Sequence, residues 1–308
     1  MTRAPVIDVH THCWPMAAAS DPRAWAAARG ERHWADLVAP VRGTSLQGWA
    51  DADRFLRDMD AAGVSQAVIL GWYWERQETC DELNSFHAAL LRAHPDRFLA
   101  FAAVNPAAGP RAFDAVRRAV EDQGFIGLGE MLPPVQGFRW EDPTWLDILA
   151  WAESLRLPVN FHVTEALGRT HAGSVETPFR HFLDYATRFP ELPIILAHWG
   201  GGIPFFHLNP HASGRLRNVW YDSAASPLLY DASVFRRVAD LAGHERLLFG
   251  SDYPLRLHPR IDKEPRMDRF LDEARSSGLT PPELDAFLGG NFRRLLANVR
   301  KNPPVPSS

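Results

Sequence analysis

Val6-Ile7-Asp8-Val9-His10-Thr11-His12 is the stretch that decides the fold. It is a short apolar run that ends in two histidines. In a strand, alternate residues share a face. Asp8, His10 and His12 are therefore expected to point the same way, into a barrel if Val9 points out. His10 and His12 would stand roughly 6.5–7 Å apart along the backbone, close enough to converge on one ion. Further along, His162 ends Pro158-Val159-Asn160-Phe161-His162 and His198 ends Ile194-Ile195-Leu196-Ala197-His198. Asp252 follows Leu247-Leu248-Phe249-Gly250-Ser251. These side chains close separate apolar runs, which predicts one metal site at the mouth of a barrel.

Apolar runs alternate with amphipathic stretches along the whole chain. Strands are predicted at 6–12, 66–71, 98–105, 125–131, 158–163, 193–198, 218–223 and 246–251. Helices are predicted at 51–62, 79–93, 110–122, 143–155, 176–188, 231–241 and 264–277. Parallel strands joined by helices follow, and eight of them close a (β/α)8 TIM barrel of the metal-dependent hydrolase type. An open sheet covered on both faces is the alternative. One domain is expected over 1–301, with a long capping segment at 13–50 that holds short helices, one around Pro22 to Arg29. A second long connection covers 199–217. Asn291 is expected to cap a terminal helix, and residues 302–308 to form a disordered tail.

The chain has 308 residues, 46% of them hydrophobic, and a formal net charge of −4. That suffices for a large core and gives no basic surface for nucleic acid. No apolar run is long enough to span a membrane. The start shows no signal-peptide pattern, and Cys13 and Cys80 suggest no disulfide framework. The expected location is cytoplasmic. Lys263 and Lys301 are the only lysines. Both lie beyond strand 8, so no lysine can bridge two ions at strand 4.

His10, His12, His162 and Asp252 are the candidate metal ligands. Three imidazoles and a carboxylate with an open position suit one Zn²⁺, with Mn²⁺ or Fe²⁺ as alternatives. Asp252 could also accept a proton from bound water. His198, followed by Trp199-Gly200-Gly201-Gly202, is the candidate acid/base. Glu130, at the end of strand 4, could orient ligands or bridge a second metal, and Asp8 could support the set from behind. Trp14, Trp72 and Trp199 follow strands 1, 2 and 6 and could line a pocket for a flat substrate. Arg256, Arg260 and Arg169 could pair with a substrate carboxylate.

The ordered set of Ile7-Asp8-Val9-His10-Thr11-His12, His162, Ala197-His198-Trp199-Gly200-Gly201-Gly202, Phe249-Gly250-Ser251-Asp252-Tyr253-Pro254 and Gly290-Asn291-Phe292-Arg293-Arg294-Leu295-Leu296 resembles the amidohydrolase-related family. That family contains aminocarboxymuconate-semialdehyde decarboxylase and γ-resorcylate decarboxylase. The resemblance implies a (β/α)8 barrel, a divalent metal on His10, His12, His162 and Asp252, His198 as acid/base, and often a homodimer. Trp199 departs from the His-Gly-Gly-Gly run common in the decarboxylases. The leading expectation is therefore a hydrolase of a small carboxylated, aromatic or unsaturated substrate, using metal-activated water with Asp252 and His198. A non-oxidative decarboxylase is the alternative. The same ligands with Glu130 also look like TatD-type phosphodiesterases, and a non-catalytic binding barrel is the remaining reading.

Overall fold

The computed structural model describes residues 5–168 and 174–300. Arg169 and the tail expected at 302–308 lie outside the described residues. The strands are β1 Val6–Thr11, β2 Val64–Ile69, β3 Phe98–Ala100, β4 Leu128–Met131, β5 Val159–Phe161, β6 Ile194–Leu196, β7 Val219–Asp222 and β8 Leu247–Leu248. All pair in parallel, in the order β1-β2-β3 and β4-β5-β6-β7-β8. Two seams join these runs. At one, the Ala102 amide donates to the Gly127 carbonyl at 2.8 Å, and Ala102 pairs with Leu128. At the other, the Val9 amide donates to the Phe249 carbonyl and the Asp252 amide to the His10 carbonyl, both at 2.8 Å. The strands therefore close into a (β/α)8 barrel, and the open sheet is excluded.

The helices form where an apolar stripe meets a cap. In Ala52–Ala62 the Asp51 carboxylate accepts the Arg54 amide, Phe55, Met59 and Ala62 are buried, and Gly63 ends the helix at φ 75°. That spacing puts the three on one face. Truncating Met59 would cost about 2–5 kcal/mol. The barrel floor is a separate apolar cluster of Ile7, Val9, Val68, Phe101 and Leu248, sealed by Phe292 and Leu295. These last two lie on Asn291–Ala297. Asn291 does not cap that helix. It is its first residue and donates from Nδ2 to the carbonyls of His244 and Leu247.

Two strands depart from strict alternation. Asp8 aligns with Ala67 and Thr11 with Ile69, so β1 spends three steps where β2 spends two. Leu128 aligns with Val159 and Met131 with Phe161, giving β4 the same excess over β5. An extra residue of this kind re-aims the side chains beyond it. Val9 joins the floor cluster, yet the next residue, His10, faces Asp222. The expected common face of Asp8, His10 and His12 is corrected accordingly. Asp8 lies before the irregularity, and its Oδ1 accepts the Ser251 amide at 2.9 Å and the His10 amide at 3.2 Å, pinning β1 to the chain after β8.

The segment at 13–50 folds as short helices Met16–Ser20, Pro22–Ala27 and Arg32–Val38. Trp14, Trp25 and Trp34 pack on Trp72, Tyr73 and Trp74 in one buried cluster. Glu31, 1% exposed, accepts the amides of Glu75 and Arg76 at 2.7 and 3.1 Å. Burial raises its pKa to about 7.

Candidate active site

Two groups of ligand-type side chains meet at the carboxyl ends of the strands. The donor atoms of His10, His12 and Asp252 lie within 4.8 Å of one another, and so do those of Glu130, His162 and His198. The irregularities in β1 and β4 carry His10 and Glu130 to this place. Asp252 follows β8 with a left-handed backbone, φ 67°, a conformation Asp tolerates better than most residues.

His12 Nε2 is 3.4 Å from Asp252 Oδ1, and His10 Nε2 is 3.9 Å from it. Glu130 Oε2 is 3.9 Å from both imidazole nitrogens. His10 Nε2 and His12 Nε2 are buried and make no hydrogen bond. Such nitrogens are costly unless a proton or an ion occupies them. Zinc-type ions hold these ligands at about 2.0–2.2 Å, which spaces neighbouring ligand atoms roughly 3–4 Å apart. The first group fits a divalent ion by both tests.

Burial disfavours charge on His10, but Asp222 and Glu130 outweigh it and raise its pKa to about 10. Glu130 is likewise held at about 2 against its burial, by His162 and His10. Asp252 is kept below its ordinary value against its burial, by His12 and His10. The pocket thus demands positive charge, whether from protons or from a cation.

The second group is internally bonded. His162 Nδ1 donates to Glu130 Oε1 at 2.8 Å and lies 3.3 Å from His198 Nε2. His198 Nε2 is 3.8 Å from Glu130 Oε1. His198 Nδ1 is 3.0 Å from the Ala224 carbonyl, which can only accept. Nδ1 therefore carries the proton and Nε2 the lone pair. Burial and the neighbouring His162 lower the His198 pKa, so the ring rests neutral at neutral pH. Solvent reaches the site mainly at His162, whose side chain is 17% exposed.

The structure separates some residues expected together. His162 turns to Glu130 and His198 rather than joining His10, His12 and Asp252. Trp199 faces away from the histidines. From His198 to Gly202 the backbone is left-handed, and the Trp199 ring packs on Phe235 and Phe287 while Nε1 donates to Ser226 Oγ. Gly200 and Gly201 are steric necessities, since a Cβ would sit 2.9 Å from the Tyr221 ring at the first and 2.9 Å from Val163 at the second. Arg256 donates to the Ser45 carbonyl, tying down the capping segment. Trp14 does lie at the site, stacked on His12 at 5.4 Å, with Trp72 edge-on to His12 at 5.2 Å.

Sequence reading missed Asp222, which ends β7. Its Oδ2 accepts His10 Nδ1 and Asn160 Nδ2, both at 3.0 Å, and its Oδ1 accepts the amides of Ala224 and His198 at 3.0 and 3.3 Å. Asp222 thus sets the His10 tautomer and helps hold the His198 turn. The signal was present, because Asp222 ends an apolar run as Asp252 does. Tyr73 also lies at the site. Its ring lies 5.3 Å from His162, and its buried hydroxyl has no partner among the described residues. Burial, then the charges of Glu130 and Asp252, push its pKa well above the ordinary value.

The family described as Amidohydrolase matches residues 7–297. The chain belongs to the amidohydrolase family. This family member is 23% identical over 235 residues to a 2-amino-3-carboxymuconate-6-semialdehyde decarboxylase of Dictyostelium discoideum. The match covers 65% of this chain and 64% of the relative, so it spans less than two thirds of the relative's length. The 5-carboxyvanillate decarboxylase of Sphingomonas paucimobilis superposes with a TM-score of 0.71 at 17% identity, over 96% of this chain and 99% of that one. A dihydroxybenzoic acid decarboxylase of Polaromonas, solved with bound manganese and the inhibitor 2-nitroresorcinol, superposes with a TM-score of 0.64 at 17% identity, over 96% and 97%. At such identities the structural likeness shows the fold. No helix among the described residues is long and apolar enough to cross a membrane.

Proposed function

We propose that this amidohydrolase-family enzyme is a divalent-metal-dependent, non-oxidative decarboxylase of a small aromatic or unsaturated carboxylic acid. The observation that carries the reading is the meeting of the unpartnered His10 and His12 nitrogens, flanked by carboxylates, with the Trp14 and Trp72 rings laid against His12. The named activities of the relatives, decarboxylations of aromatic or unsaturated acids, support it. His10, His12 and Asp252 would hold the ion, with Glu130 Oε2 beside them. When bound, the ion supplies a Lewis acid for the substrate's carboxylate and a neighbouring oxygen.

The chain's own groups do the rest. With the ion bound, Asp222 would keep the single His10 proton on Nδ1 and leave Nε2 free to hold the ion. Tyr73, protonated at neutral pH, can donate to a substrate oxygen. The bond between the carboxylate and its carbon breaks, and the electron pair stays on that carbon. CO₂ leaves, and a proton forms the new C–H bond. Asp252, with 9% of its side chain exposed, takes that proton from water at the mouth and passes it on. No oxidant or reductant is consumed.

Hydrolysis is the second reading, favoured by Glu130 standing between the two groups and by the His198 Nε2 lone pair. Asp252 and His198 would then take and return the protons of an attacking water. The test is a sealed-vessel assay of metal-loaded protein on hydroxybenzoates, unsaturated dicarboxylates, lactones and esters. The decarboxylase reading expects CO₂ equal to substrate consumed. Turnover of lactones or esters without CO₂ would replace it with the hydrolase.

A further inference from the structure

We infer that Trp14 is the positioning residue of His12, holding by its ring face an imidazole that no hydrogen bond orients, with the capping segment as its brace. This rests on the ion-binding part of the proposed function and is independent of which reaction follows. The two imidazoles of the first group are held differently. Asp222 accepts His10 Nδ1 at 3.0 Å and so fixes that ring. His12 has no such acceptor, for its Nδ1 and Nε2 are both buried and make no hydrogen bond among the described residues. Metal-binding histidines ordinarily give their other ring nitrogen to an acceptor, which sets the ring's orientation. The backbone around His12 is fixed, since its amide donates to the Tyr253 carbonyl at 2.6 Å and the Cys13 carbonyl accepts from His87 Nε2 at 3.0 Å. What remains to be set is the direction of the ring, and ring packing sets it.

The Trp14 and His12 ring centroids lie 5.4 Å apart with their planes only 8° from parallel. Trp72 and His10 meet the His12 ring edge-on, each at 5.2 Å. Turning the imidazole out of this stack would drive its edge into the indole, so the stack keeps Nε2 beside Asp252 Oδ1, 3.4 Å away. Trp14 itself is 3% exposed and packs edge-on against Trp34, Trp72 and Trp74 at 5.7, 5.5 and 5.7 Å. Trp34 lies on Arg32–Val38, inside the capping segment. An indole face also does what an alkyl group of the same bulk cannot. It is electron-rich, and so favours an imidazole that shares a cation's charge over a neutral one.

The experiment measures Mn²⁺ affinity of the metal-stripped chain, by calorimetric titration and by the EPR signal of free Mn²⁺, alongside Tm. Trp14→Leu should bind about 10–100-fold more weakly, and Trp14→Phe, which restores an aromatic face, should recover most of that loss. Trp25→Leu is the control. Trp25 belongs to the same cluster and packs on Trp34 and Trp74 at 5.0 and 5.7 Å, with no ring contact to His12 or Trp14 among the described residues. This variant should melt lower yet bind Mn²⁺ as tightly as the unaltered chain. If circular dichroism shows Trp14→Leu unfolded, Trp34→Leu loosens Trp14 from behind and should weaken binding about 10-fold. Unchanged affinity in the folded variant would overturn the positioning role. An equal loss in Trp25→Leu would overturn it too, by reducing it to the stability of the cluster. No binding by the unaltered chain would overturn the ion binding behind the proposed function, and this inference with it.

Discussion

The two donor groups at the mouth are built in opposite ways. His10, His12 and Asp252 come from adjoining strands, β1 and the end of β8, and their Nε2 atoms bond nothing. Glu130, His162 and His198 come from β4, β5 and the turn after β6, and satisfy one another. The first group is costly without an ion, whereas the second rests on a shared proton. An ion is therefore expected at the first group. Asp222 touches both, holding the His10 ring and the His198 backbone.

The largest effect should come from Asp252→Ala, which removes the carboxylate of the first group. Metal content should fall with turnover, by roughly 10⁴-fold or more in kcat/KM. Full metal retention would contradict its place in that group. Next is Glu130→Gln, which disturbs both groups while keeping the shape. Affinity for the ion should weaken about 10–100-fold. Asp222→Asn frees the His10 tautomer and weakens the His198 turn. Metal affinity should fall about 10-fold or more, with about 1–3 kcal/mol of stability lost in denaturant melts.

A smaller effect tests the capping segment by pH. Glu31 has its folded pKa raised to about 7 by burial, against an ordinary value of 4.5. Between those values the folded chain binds more protons than the unfolded one, so this group's contribution to stability falls as pH rises through the window. The loss is on the order of 3 kcal/mol. Glu31→Gln should remove that part of the slope, seen as a smaller Tm difference between pH 5 and pH 7 than in the unaltered chain. An unchanged slope would contradict it. The smallest effect should be Arg256→Ala, which loses a bond to the Ser45 carbonyl. It should cost about 1–2 kcal/mol and leave the substrate preference in the sealed-vessel panel unaltered.

Much of this was legible in sequence. Each apolar run overlaps a strand, and His10, His12, His162, His198, Asp252 and Glu130 all gather at the strands' carboxyl ends because that is where such a barrel opens. Boundaries drifted where burial continued past the ladder. The run at 246–251 is regular strand only at Leu247–Leu248, and the run at 98–105 only at Phe98–Ala100. The irregularities in β1 and β4 leave no mark on apolar alternation, so Asp8 was assigned the face of His10. The turn at His198–Gly202 was visible as glycines, but not the direction in which it throws Trp199.

Sequence alone determined the barrel, the residue types of the site and the ends of the strands that carry them, because period, length and polarity are local properties. Tertiary structure alone decided that His162 pairs with Glu130, that Asp222 holds His10, and that one carboxylate divides between two groups. Those are contacts between strands far apart in the chain. They depend on one-residue shifts in register, on left-handed turns and on which tautomer a distant carbonyl selects.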